Sequence, residues 1–206
     1  MDADYSIELG PTAPALELPW QDPDGRCGYV NLRQQPHRIA ELDEVQSYPA
    51  LGELLRALNG PHSPWQTAKC DVWCEEQESA EIELPAAAFS QHCYVDLILS
   101  DAHHALRNSL PAHQEMARRS AHLLEDQGEE LDATAAEIVI RRCYFHKDDA
   151  ADSPSEDGYC LTLYLSGYGA TPPQAAERWQ AALQLAACCL PGLTLPDSAA
   201  PDGEVG

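Results

Sequence analysis

The sequence predicts an α+β fold, and three observations predict it. The run His92-Cys-Tyr-Val-Asp-Leu-Ile-Leu-Ser100 is echoed by Cys160-Leu-Thr-Leu-Tyr-Leu-Ser166, and Ser100 aligns with Ser166 without a gap. Val95, Leu97 and Leu99 then fall on Leu161, Leu163 and Leu165, apolar positions at the spacing of two that lines one face of a strand. Each echo also follows a shorter strand-like run, Lys69–Cys74 in one case and Glu137–Phe145 in the other, and precedes a helix-like run. The unit is strand-strand-helix, used twice.

Taken in order, residues 1–15 are polar, contain Gly10, Pro11 and Pro14, and read as a flexible lead-in. Leu16–Trp20 reads as a short strand closed by the turn Asp22-Pro-Asp-Gly25, and Cys27–Leu32 as a second one. Ile39–Gln46 is weakly helical. Pro49–Asn59 is a better helix: Pro49 suits a first helical position, Leu51, Leu54, Leu55 and Leu58 form one stripe, and Gly60-Pro61 ends it. We read residues 1–66 as an N-terminal extension packing on the core, because two short strands within it supply little core of their own.

The duplicated domain spans residues 67–193, with units at 67–128 and 135–192. Between the strands of the first unit lies a long loop, Glu75–Ser90. Asp101 is expected to cap a short segment, and Ser109 to cap the main helix, with Pro111 in its opening turn and Gly128 as its stop. Leu110, Met116, Ala117, Ala121 and Leu124 should face inward. In the second unit the loop Lys147–Gly158 is rich in Asp, Ser and Pro. Thr171 and Gln174 make a capping box for the last helix, Pro172 takes its first position, and Pro191-Gly192 stops it. Ala176, Trp179, Leu183, Ala186 and Leu190 should be buried, and residues 194–206 read as a disordered tail. With right-handed crossovers and both helices on one face, the two units give a four-stranded antiparallel sheet with the echoing strands in the middle. That is a permuted ferredoxin-like arrangement.

Charge narrows the function. The 206 residues carry 34 acidic and 12 basic side chains, a formal charge of −22, and Lys69 and Lys147 are the only lysines. Direct binding to nucleic acid phosphates or to anionic membranes is excluded, since both need a basic surface. No leader-like segment and no apolar run near about 20 residues occurs, so a cytoplasmic protein is expected. Its eight cysteines are then expected to be reduced and structural.

The candidate site is the outer face of the sheet. The alternation that sends Val95, Leu97 and Leu99 inward sends Tyr94, Asp96 and Ile98 outward, with Cys160, Thr162 and Tyr164 from the other echo and Asp71 and Trp73 from the first edge. Asp71, Trp73, Tyr94, Asp96 and Tyr164 would line a ligand site there, unless the N-terminal third or another protein covers it. Asp71 and Asp96 would serve as an acid–base pair or as ion-pair partners of Arg141 or Arg142.

Other motifs point nowhere specific. Cys70 and Cys74 on one strand face stand about 13 Å apart, too far to share a zinc ion, and the adjacent pair His92-Cys93 points to opposite faces. His103, His104 and His113 lack the spacing of a helical zinc site and read as exposed. Cys143 near His146, and Cys93 near His92, carry no signature of a cysteine nucleophile. Ser166-Gly-Tyr-Gly169 matches no phosphate-binding pattern and reads as a strand-to-helix turn. No metal or cofactor is expected. The sequence favours a non-catalytic protein that associates with itself or with a protein partner. The alternatives are a small-molecule binder or enzyme using the outer face, and an acidic inhibitor mimicking nucleic acid.

Overall fold

The computed structural model describes residues 1–76, 87–146 and 155–195. In chain order its elements are β1 (Asp2–Glu8), β2 (Ala15–Leu18), α1 (Asp43–Ser47), α2 (Pro49–Leu58), β3 (Trp65–Glu76), β4 (Phe89–Leu99), α3 (Leu110–Gln127), β5 (Thr134–His146), β6 (Ser155–Gly169) and α4 (Pro172–Cys189). Turns of 3-10 helix at Pro36–Glu41, Asp101–Leu106 and Leu190–Gly192 connect them. The protein is α+β, built on a mixed, open six-stranded sheet ordered β1-β5-β6-β4-β3, with β2 also pairing β5.

The centre is the antiparallel pairing of β4 with β6, which sets Val95 against Leu163, Asp96 against Thr162 and Leu97 against Leu161. The alternation places its apolar residues as expected: Val95, Leu97, Leu99, Leu161, Leu163 and Leu165 are all at most 3% exposed. They meet α2, α3 and α4 in one core, which also takes in Ile138 and Ile140 of β5 and the fully buried Trp179.

Three corrections to the sequence reading concern the sheet. It has six strands rather than four, it is mixed rather than purely antiparallel, and β5 is internal. The expected lead-in holds β1, whose Ala3, Tyr5 and Ile7 stand beside Ala136, Ile138 and Ile140 in parallel register; β2 continues along β5 from Arg142 to Phe145. The physical reason lies in β5. Ile138, Val139 and Ile140 are buried on both faces of the sheet, and a strand buried on both faces belongs inside a sheet.

Local expectations fare unevenly. Cys27–Leu32 forms no strand, only the bridge Gln21–Gly28 at the foot of a turn closed by Asp22 N–H to Cys27 O at 2.9 Å. Ile39–Gln46 divides into the 3-10 turn and α1. Ser109 Oγ caps α3 at Ala112 N, and Thr171 Oγ1 caps α4 at Gln174 N. Gln174 returns its side chain to Ala170 N at 2.8 Å rather than to the cap residue. On α4, Ala175 and Ala182 are buried, whereas Ala176 is only half-buried. Parts of both hairpin loops, residues 77–86 and 147–154, lie outside the described residues, as does 196–206 of the tail. Leu193 and Leu195 pack on the core, and Thr194 O accepts from Arg119 at 3.2 Å.

Ser166-Gly-Tyr-Gly169 is no turn. It is the end of β6, paired with Phe89–His92. Its glycines serve packing: a Cβ on Gly167 would stand 2.5 Å from Ala175 O, and one on Gly169 would stand 2.6 Å from Ala175 N. The backbone of α4 lies directly on β6 because both lack side chains there. Gly167→Ala should therefore be strongly destabilising, because backbone rather than a flexible side chain blocks the methyl group. Leu163→Ala should cost about 2–5 kcal/mol through lost burial and a cavity. Chemical denaturation measures both, and a harmless Gly167→Ala would contradict the packing of α4.

Candidate functional site

The core face of the sheet is filled, so the opposite face is the candidate. Its positions are Lys69, Asp71, Trp73 and Glu75 on β3, Ser90, His92, Tyr94 and Asp96 on β4, and Thr162, Tyr164, Ser166 and Tyr168 on β6. Glu137 of β5 stands beside Tyr164, and Asp4 of β1 beside Glu137. All five residues expected at the site from the sequence lie on this face.

The N-terminal segment covers one end only. Leu16 and Leu18 of β2 form a small second core with Ala68, Ile98, Cys143 and Cys160. Trp20 closes it by donating Nε1 to Ala68 O at 2.8 Å, under Lys69 Nζ at 5.2 Å. Both cysteines here are fully buried and inaccessible, so neither reads as a nucleophile; the hydrogen bond to Cys143, with burial, raises the Cys160 thiol far above its ordinary range. Cys93 is buried on the core side, its thiol pushed up to about 12 by burial.

Asp96 sits at the boundary. It is only 8% exposed, and Thr162 is fully buried, so this part of the outward face is covered. Arg141 Nη1 donates to Thr162 Oγ1 at 3.3 Å and to Tyr164 OH at 3.0 Å, while Thr162 Oγ1 donates to Asp96 Oδ1 at 2.6 Å. Arg141 also pairs with Glu8 Oε2 at 3.0 Å. Of the two arginines that the sequence offered as partners, Arg141 faces the site. Burial raises the Asp96 carboxyl, while Thr162, Arg141 and Lys69 hold it down in part. Asp71 is exposed and accepts from Val72 N at 2.7 Å.

Beyond this network the face is aromatic. Trp73 stacks on His92 with centroids 5.3 Å apart and lies 6.4 Å from Tyr94; Tyr94 is 6.1 Å from Tyr164, and His92 is 6.0 Å from Tyr168. All five rings are half-buried. The strand alternation carried past Tyr94 and Tyr164 leads to Ser90, His92, Ser166 and Tyr168; the sequence reading did not extend the face to them, because it weighed His92 only with Cys93 and took Ser166-Gly-Tyr-Gly169 for a turn. Between β1 and β6 the surface sinks into a groove of about 380 Å³ lined by Asp2, Asp4, Glu137, His92, Tyr164 and Tyr168, among others.

His92 Nδ1 lies 2.7 Å from Ser166 Oγ, and Nε2 lies 2.7 Å from Ser90 Oγ. Burial lowers its pKa, against a small opposing effect of Glu75, so the ring is neutral at neutral pH. A serine beside a neutral histidine is a nucleophile–base pair in outline. Acyl transfer also needs donors aimed at the developing oxyanion. Ser166 lies on a strand paired on both sides, to His92 of β4 and to Ala135 of β5, so the neighbouring amides serve the ladders. The pair holds His92 in place.

His113, expected to be exposed, is buried on α3, with Nδ1 2.9 Å from Ser109 O. Among the described residues no three His, Cys, Asp or Glu side chains converge as metal ligands. Nor is any helix among them long and apolar enough to cross a membrane.

The burial of Asp96 sets a pH dependence. Its folded-state pKa lies above the unfolded value, so the unfolded chain loses this proton first as pH rises, and stability falls from about pH 4 upward. Asp96→Asn keeps the acceptor for Thr162 without the charge. The variant should match the wild type near pH 3 and exceed it at pH 7, as read by denaturant midpoints across pH. A less stable variant at pH 7 would show that the attraction of Arg141 and Lys69 outweighs desolvation.

No known family model, curated protein or solved structure matches the chain.

Proposed function

We propose that the protein is a non-catalytic binding protein that holds a cationic segment of a protein partner against the uncovered half of its sheet. The observation that carries this reading is the run of five half-buried rings, Trp73, His92, Tyr94, Tyr164 and Tyr168, bordered by the exposed carboxylates of Asp2, Asp4, Asp71, Glu75 and Glu137. Guanidinium groups lie over ring faces and pair with carboxylates in the same geometry. The protein does this internally: the Arg141 guanidinium lies 5.6 Å from the Tyr164 centroid while pairing with Glu8. A net charge of −22 attracts a basic partner and speeds its encounter. Occupying the nucleic-acid-binding surface of such a partner is one form that this binding takes.

The groove favours a second reading. Its volume of about 380 Å³ falls within the range of roughly 300–1,000 Å³ typical of small-molecule sites, which suits a small organic cation. We also propose that the two strand-strand-helix units are a duplicated, ferredoxin-like pair. The shift that carries Ser100 to Ser166 carries Asp96 to Thr162, and these two residues face each other across β4 and β6, as a local two-fold axis requires.

The test separates ring contacts from bulk charge. Trp73→Ala and Tyr164→Ala leave the net charge unchanged, and each should weaken binding of an arginine-rich peptide about tenfold at physiological salt, the scale of a lost cation–π contact with its packing. Neutralising Glu125 and Asp126, exposed on α3, should change it little. If the α3 changes matter as much as the ring changes, attraction is non-specific and the reading fails. Tight binding of free agmatine with none of the peptide would favour the second reading.

A further inference from the structure

The two edges of the sheet are finished differently. β1 and β2 run along β5 on one side. On the other, the twelve-residue β3 is the last strand. Its first part is guarded: Arg33 Nη1 donates to Trp65 O at 2.9 Å, Trp20 Nε1 donates to Ala68 O at 2.8 Å, and the register shifts between Thr67 and Lys69. From Cys70 to Glu76 no other strand covers the outer edge among the described residues. A long uncovered edge is a template for another strand.

We propose that β3 of a second copy fills this edge, antiparallel and centred on Val72, independently of any partner on the aromatic face. Charge selects the register. With Val72 opposite Val72, Lys69 of each copy faces Glu75 of the other, Asp71 faces Trp73, and Cys70 faces Cys74. Centring on Asp71 sets that carboxylate against itself, and centring on Trp73 sets Asp71 against Glu75. Like charges directly opposite are unfavourable. Centring on Cys70 also matches Lys69 with Asp71, but it runs the incoming strand into the stretch that Trp20 and Arg33 guard.

The edge has the groups and the room that this pairing needs. Lys69, Asp71, Cys74 and Glu75 are exposed, and Val72 is half-buried at the margin of the core. Glu75 takes Trp73 Nε1 on Oε1 at 3.1 Å, and its Oε2 lies 4.0 Å from His92 Nε2, so the carboxylate keeps acceptor capacity for a lysine. Lys69 and Cys70 border a cavity of about 370 Å³ whose wall also carries Arg26, Arg38, Glu41, Asp43 and Glu44, which leaves space beside the edge and makes Lys69 the cation that the incoming Glu75 meets in this register. The pairing sets Trp73 of each copy beside Asp71 of the other and joins the two aromatic faces.

A carbodiimide makes the test direct, because it links an amine to a carboxylate with no spacer. Within one copy Lys69 and Glu75 stand about 20 Å apart along the strand, so an amide between them forms only between copies. Treating the full chain at physiological salt should give a covalent dimer in which mass spectrometry identifies the Lys69–Glu75 linkage. Light scattering should show a concentration-dependent dimer. Glu75→Lys, at an exposed position, should weaken it on the order of tenfold, and adding Lys69→Glu to that variant should restore it. A monomer at every concentration, a dimer without the Lys69–Glu75 amide, or a dimer indifferent to Glu75→Lys would each overturn the proposal.

Discussion

The contact between α4 and the end of β6 is the constraint on which the arrangement depends. Two positions without side chains allow the helix backbone to touch the strand, and Trp179 then enters the core fully buried. Packing this close fixes the depth of the helix layer, because protein interiors leave few voids for a helix to shift into. Tyr48 meets the Trp179 ring edge-on at 5.3 Å just before α2 begins. The same helix thus anchors α2 on the core face, while β2 and Trp20 from the same third close one end of the far side of the sheet.

With the helices collected on one side, the other side of the sheet acquires a gradient. At the end beside β2 it is apolar and closed. In the middle, a chain of donors from Arg141 through Thr162 to Asp96 satisfies a carboxylate that is almost out of water. Farther along, rings and hydroxyl groups are half-buried, and the rim is acidic. A buried charge persists only where hydrogen bonds and countercharges surround it, and the Arg141 network supplies both. Its cost is tolerated on the strand pair that carries four of the five rings, and the network holds Tyr164 in position as well as satisfying Asp96.

The strand alternation was legible because its period is short and its apolar residues are large. Val95, Leu97, Leu99 and their echoes fixed the inner face, and with it the outward direction of Asp71, Trp73, Tyr94, Asp96 and Tyr164. The caps Ser109 and Thr171 were legible because each acts on an amide three residues away. β1 escaped because the polar residues Asp2, Asp4 and Ser6 obscure an alternating Ala3, Tyr5 and Ile7, and because its partner lies far along the chain. Pairing of that kind leaves no local signal. The burial of Asp96 was equally out of reach, since the groups that meet it, Thr162, Arg141 and Lys69, arrive from three other strands. The role of Gly167 and Gly169 needed the helix in place: glycine in a strand announces a close approach without saying what approaches.

The parallel strand β1 has a consequence for how the chain reaches this state. Glu8 and Arg141, which pair across β1 and β5, are 133 residues apart, and the terminal amine of Met1 bonds the Gly128 carbonyl at the end of α3. β1 therefore has nothing to pair with until β5, more than a hundred residues later, has emerged. Contacts of such long separation form late and slow folding, because loop closure must be met before the pairing rewards it. Until then the both-faces-apolar strand β5 presents an open edge to whatever is near. The early life of each molecule is when it is most prone to aggregate, and its high negative charge, which opposes non-specific association, protects it most in that interval.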